Sequence, residues 1–195
     1  MDRLGQWRHL CVDMQRLFGE ETPWGLAWFD RVLPQIEEMT GRHAERTIFT
    51  RFMPPRTPED MPGQWRDYYR KWWMMTGEHL PAEMTEGVAP LARFMPPARS
   101  FLKPCYSPWF DGRLHATLQA ESVETLVMTG GETDVCVLAT VLGAIDHGYR
   151  VIVLTDGVCS SADATHDASI KLLGARFSTQ VELATTADFL DSEKQ

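Results

Sequence analysis

The stretch ETLVMTGGETDVCVLATVLGAIDHGYRVIVLTD, residues 124–156, reads as strand, helix, strand. ETLVMTG (124–130) and RVIVLTD (150–156) are short apolar, β-branched runs, while DVCVLATVLGAIDHG (134–148) is a largely buried helix that stops at Gly148. Two strands joined through a helix predict a parallel pair. The same alternation runs outward through HLCVDM (9–14), RTIFTRF (46–52), SFLKP (100–104) and RFSTQVE (176–182). LAWFDRVLPQIEEM (26–39), with Pro34 inside it, and DATHDASIKLLGAR (163–176), with Gly174 near its end, supply further helices. The pattern predicts an α/β three-layer sandwich, Rossmann-like, with a six-stranded mainly parallel sheet of order 3-2-1-4-5-6. That order sets strands 1 and 4 side by side and opens a ligand crevice at their carboxyl ends.

Residues 53–97 break the rhythm. They hold several prolines and the aromatic-rich WRDYYRKWWMM without a strand pattern, and read as a helical insertion or lid between strands 2 and 3. RFMPP occurs at 51–55 and again at 93–97, which is coincidence or two similar strand-to-loop exits, since two isolated copies do not make a repeat array.

The chain of 195 residues, 44% apolar, is long enough for a sizeable core and fits a single domain over 1–195. A formal charge of -8 argues against nucleic acid or an anionic membrane as partner. No apolar run reaches the roughly 20 residues that cross a bilayer, and the start lacks a signal-peptide pattern, so the expected location is cytoplasmic. Cys11, Cys105, Cys136 and Cys159 form no C-x-x-C pair, and disulfides are not expected.

Three residues carry candidate chemistry. Cys136 follows Gly130 and Gly131 where a helix begins, and a thiol in a first helical turn gains thiolate character; its bland role is that of a small buried hydrophobe. Asp13 ends strand 1, where a carboxylate either accepts a thiol proton or simply caps the turn. Lys103 ends strand 3, as a partner for both or as an ordinary surface lysine.

CVDMQRLF, FLKPCYSPWF and GGETDVCVLATVLGAIDHGYRVIVLTDGV together resemble the isochorismatase-like cysteine hydrolases over nearly the whole chain. The resemblance implies a catalytic triad of Asp13, Lys103 and Cys136. It also implies a cis peptide between Gly131 and Glu132 and an oxyanion hole from the backbone N–H groups of Glu132 and Cys136. Gln15, Phe18, Tyr106 and Trp109 fall at positions that resemble substrate contacts. Trp65, Tyr68, Tyr69, Trp72 and Trp73 either close over the site or pack against the sheet or a second subunit. His166 resembles a family histidine after strand 5, or is a structural helix-start residue. Dimers or tetramers are common in the family.

The chain departs from nicotinamidases of this superfamily, which bind a divalent metal through Asp-x-His after strand 2. Here that place reads FTRFMPPRTPED, and His9, His43, His79, His115, His147 and His166 show no i,i+4 pair. The expectation is no metal, no cofactor and a substrate other than nicotinamide. Strand 1 leads into DMQRLFGEETPWG and not G-x-G-x-x-G, which argues against NAD. Cys11, Cys105 and Cys159 read as packing residues, and Arg66, Arg70 and Lys71 as a solvated helix face. The reading is a metal-independent cysteine amidohydrolase acting on a small amide, carbamoyl or ureido substrate. The alternatives are a vinyl ether hydrolase of the isochorismatase type, and a non-catalytic interaction protein that keeps the fold.

Overall fold

The structure, a computed structural model, describes residues 4–193. Six parallel strands form one sheet: β1 (Trp7–Val12), β2 (Thr47–Phe52), β3 (Arg99–Lys103), β4 (Thr125–Gly131), β5 (Arg150–Cys159) and β6 (Val181–Ala184). Their order is β3-β2-β1-β4-β5-β6, as the alternation predicts. The helices are α1 (Arg16–Gly19), α2 (Phe29–Arg42), α3 (Gln64–Lys71), α4 (Ala89–Ala92), α5 (Arg113–Ala120), α6 (Leu138–Asp146), α7 (Asp163–Arg176) and α8 (Thr186–Ser192). Pro34 sits inside α2. Among the described residues no helix is long and apolar enough to cross a membrane.

Both faces of the sheet are apolar because helices cover both. Side chains alternate along each strand, so Leu126 and Met128 on β4 and Val151 and Val153 on β5 pack with Leu118 of α5, Val141 of α6 and Leu173 of α7. The intervening Val127, Ile152 and Leu154 pack against Met39 of α2 and Phe189 of α8.

Three strands differ most from expectation, and one of them, β5, runs on past Asp156 to Cys159. β1 stops at Val12 because Asp13 adopts a left-handed backbone, φ 52°, which no regular strand accommodates. β6 is Val181–Ala184, not 176–182. α7 ends at Arg176, Phe177 caps it by donating its N–H to Leu173 O at 3.2 Å, and the Phe177 carbonyl then accepts from Gln180 and Val181. The apparent alternation of RFSTQVE is therefore a helix end and a turn.

Residues 53–97 are helical in short pieces, α3, α4 and isolated 3-10 turns, without a strand. The first RFMPP copy leaves β2, whereas the second follows α4 and leads into β3, so the two are not equivalent exits. Gly130 is required where β4 lies against β1: its φ is 108°, and a Cβ there would stand 2.0 Å from the Val12 carbonyl oxygen.

His9 of β1 is fully buried, with Nδ1 3.1 Å from Thr47 Oγ1 and Nε2 2.7 Å from Thr129 Oγ1. Burial, reinforced by His43, lowers its pKa from 6.5 to about 3. The unfolded chain therefore binds more protons between those values, and stability rises with pH across that window. Urea midpoints are expected to fall as pH drops below 6.5 toward 3, with a His9 contribution of up to about 1.4 kcal/mol per pH unit. His9→Gln flattens that slope; an unchanged slope would show that other groups set it.

Candidate active site

Three strand ends deliver the candidate residues to one place. Asp13 follows the last residue of β1, and its left-handed turn aims the carboxylate across the end of β2. Asp13 N donates to Thr50 O at 3.2 Å, and Thr50 Oγ1 donates to Asp13 Oδ1 at 2.7 Å. The second carboxylate oxygen, Oδ2, accepts from Lys103 Nζ at 2.6 Å. Lys103 closes β3, two strands away, and its ammonium passes 5.1 Å from the Phe52 ring centroid on the way. It also donates to the Cys105 carbonyl at 3.1 Å. Both members of this ion pair are completely buried.

Cys136 lies after β4 in a wide π-helical turn, Thr133–Val137, that precedes α6. Glu132 O accepts from Val135 N at 3.1 Å and Val137 N at 2.9 Å, and the second of these closes the five-residue span that widens the turn. The peptide bond from Gly131 to Glu132 is cis. The thiol is buried and within hydrogen-bonding reach of both Asp13 and Lys103. Asp13, Lys103 and Cys136 thus meet at the carboxyl ends of β1, β3 and β4.

The protonation of this group differs from the helix-start expectation. Burial pushes the Cys136 thiol well up, Lys103 pulls it down, and Asp13 pushes it up both by repulsion and by accepting its hydrogen. Desolvation of an anion outweighs the pull of one cation already shared with a carboxylate. The resting group is a thiol, and a nearby base is needed to use it. Lys103 is held above its ordinary range: burial opposes its charge, but Asp13 and Cys136 together overcome that.

One loop, between β5 and α7, and the first turns of α7 pin the turn. Ser161 donates to the Glu132 carboxylate through its hydroxyl and, at 3.2 Å, its backbone N–H; Ser160 donates to Asp134. His166 is buried on α7, with Nδ1 2.9 Å from Thr133 Oγ1 and its ring 5.2 Å from Trp28. It braces the start of the turn and does not line the cavity above the thiol.

That cavity, about 120 Å³, is walled by Phe18, Trp24, Phe52, Tyr68 and Tyr106, with Glu132, Val135 and Cys136 at its base. Phe18 and Tyr106 stand where the resemblance puts substrate contacts. Gln15 does not: its buried amide donates to Phe52 O at 3.0 Å and Thr85 O at 2.7 Å and accepts from Phe52 N at 2.7 Å. Those bonds tie the 53–97 insertion to β2. Trp109 is also elsewhere, packed on Gly143 and Tyr149 with Nε1 donating to Thr140 O at 2.9 Å.

Of the aromatic insertion, Tyr68 faces the cavity. Trp65 packs on Tyr106 at 4.7 Å, Tyr69 is buried beneath, Trp72 meets Trp24 at 6.2 Å, and Trp73 is exposed against His79. Thr50, Trp24 and Phe52 were not among the sequence candidates. Phe52 was available as the last residue of a central strand; Thr50 and Trp24 become relevant only through the partners they meet. Among the described residues no three His, Cys, Asp or Glu side chains gather so as to hold a metal ion, and the residues after β2 do not fit the nicotinamidase metal site.

The chain is similar to known proteins in sequence and in fold. The chain is 37% identical over 87 residues to ureidoacrylate amidohydrolase RutB of Stutzerimonas stutzeri, 45% of this chain and 30% of that one. It is 31% identical over 97 residues to maleamate amidohydrolase of Pseudomonas putida, 50% of this chain and 43% of that one. The chain thus spans less than half the length of either relative. A cysteine hydrolase from Pseudomonas syringae pv. phaseolicola shares the fold, with a TM-score of 0.81 at 23% identity over 95% of this chain and 91% of that one. The sequence profile of the isochorismatase domain matches residues 9–186, and the chain belongs to the isochorismatase family.

Proposed function

We propose that this protein is a metal-independent cysteine amidohydrolase that cleaves the C–N bond of a small amide, carbamoyl or ureido substrate through a thioester on Cys136. The observation that carries the reading is the buried Lys103–Asp13 pair, 2.6 Å apart, in reach of a thiol that lines a half-open cavity. The names of the relatives, ureidoacrylate and maleamate amidohydrolases, point to the same bond type. A thiol at the base of the cavity favours C–N cleavage over the vinyl ether reaction, which needs no such nucleophile, and over a purely binding role.

In this mechanism Asp13 takes the Cys136 proton and the sulfur attacks the carbonyl carbon. The oxyanion rests against the backbone N–H groups of Glu132 and Cys136. Asp13 returns the proton to the leaving nitrogen, the C–N bond breaks, and ammonia or an amine departs. A water then gives its proton to Asp13 and attacks the thioester carbon; the sulfur leaves as a thiol with that proton, and the acid is released. Lys103 holds the carboxylate in place and offsets negative charge throughout, while Phe18 and Tyr106 contact the acyl group.

An ammonia-release screen over primary amides, carbamoyl compounds and ureido acids tests the reading. Turnover is expected to survive prolonged chelation with EDTA and to vanish in Cys136→Ala. Full activity in that variant, or loss on chelation restored by added metal, would refute it. We further expect a homodimer or tetramer in solution; the exposed Leu102, on edge strand β3, and Phe110 are suited to such contacts, and sedimentation velocity measures the state.

A further inference from the structure

The cavity wall has an unusual charge character for a site whose relatives are named for carboxylates. Five rings, Phe18, Trp24, Phe52, Tyr68 and Tyr106, line its walls, and no Lys or Arg lines it. The charged side chain at its base is Glu132, whose carboxylate is close enough to the Tyr68 and Tyr106 hydroxyls to oppose their ionisation. Ser161 anchors that carboxylate but leaves its charge uncompensated. Lys103 does not alter the balance, because its charge is matched by Asp13 at 2.6 Å.

Aromatic faces are electron-rich, and several of them around one small volume attract a cation while offering nothing to an anion. A substrate carboxylate here would lose its water, find no countercharge and face Glu132, a combination that is strongly unfavourable. About 120 Å³ is room for one ring or a group of tert-butyl bulk at the walls, with the open side left to the rest of the molecule.

We propose that the acyl pocket selects primary amides carrying a compact ammonium cation, an alkylated ammonium group held by the aromatic wall and Glu132, and rejects amides that carry a carboxylate. This deepens the amidohydrolase reading and rests on it for the turnover, though not for the binding. The substrate amide then points to Cys136 while the cation lies among the rings.

A pair of isosteric probes isolates the charge: betaine amide, with a trimethylammonium head, and 3,3-dimethylbutanamide, with a tert-butyl head, compared with maleamate. Binding is measured by calorimetry on the Cys136→Ala protein, and kcat/KM on the wild type with each value divided by the probe's rate of alkaline hydrolysis. Betaine amide is expected to bind at least about 10-fold more tightly than its neutral isostere, with maleamate weakest. Glu132→Gln and, separately, Trp24→Leu should each shrink that ratio; Trp24→Leu serves if the first variant does not fold. Equal binding of the isosteric pair, or preference for maleamate, would overturn the proposal. Preferential binding of the cation without turnover of any amide would uphold the pocket's selectivity and refute the amidohydrolase reading instead.

Discussion

Asp13→Asn is expected to lower ammonia release by about 10²–10⁴-fold, the usual contribution of a positioned acid–base group, while making Cys136 easier to ionise. The two effects have opposite signs because Asp13 does two things. In the proposed mechanism it accepts the thiol proton and later supplies it to the leaving nitrogen. As a neighbouring negative charge it pushes the thiol up, against the pull of Lys103. Removing the charge leaves Lys103 as the nearest ionic partner, so the thiol titrates at lower pH than in the wild type. Ultraviolet absorbance of the thiolate and the pH profile of iodoacetamide alkylation both read this. A variant that titrates unchanged, or that keeps its turnover, would remove Asp13 from the role of base. A misfolded variant would also expose the thiol and lower its titration, so the reading requires an unchanged cooperative unfolding transition in the same variant.

Lys103→Met should cost about 3–5 kcal/mol of stability, the penalty for stranding one member of a buried pair. The carboxylate of Asp13 would keep the Thr50 hydroxyl at 2.7 Å but lose its countercharge in a fully buried site. Chemical denaturation gives the loss directly. The double variant Asp13→Asn, Lys103→Met is expected to regain most of it, since an uncharged pair needs no compensation. Losses that simply add would mean that the two side chains act independently, contrary to their contact. Activity is expected to be absent in both variants, so stability and function separate only in the double one.

The two variants also bear on how far the chain could be read without coordinates. Asp13, Lys103 and Cys136 were legible as candidates from apolar strand runs that end near a polar residue or a glycine pair, but their grouping came from the family resemblance, since residue type and strand end alone left a bland role open for each. Gln15 and Trp109 show the limit. Each sits within a few residues of a triad member, yet Gln15 spends its amide on Phe52 and Thr85 and Trp109 packs on Gly143. Proximity in sequence says nothing about which way a side chain turns once its hydrogen-bonding demand must be met in a dry interior.

The sequence by itself determined the parallel α/β architecture, because short continuous apolar runs that take turns with helical patterns are satisfied by parallel strands buried between helices. The tertiary structure alone decided the electrostatics. Lys103 reaches Asp13 across 90 residues of chain, and the protonation of Cys136 is set by desolvation and by two charges from other strands. The charge character of the acyl cavity is likewise decided by which rings the insertion and the loop after β1 bring to Glu132. Local pattern governs which face is buried; the free energy of a charge depends on everything that surrounds it in space.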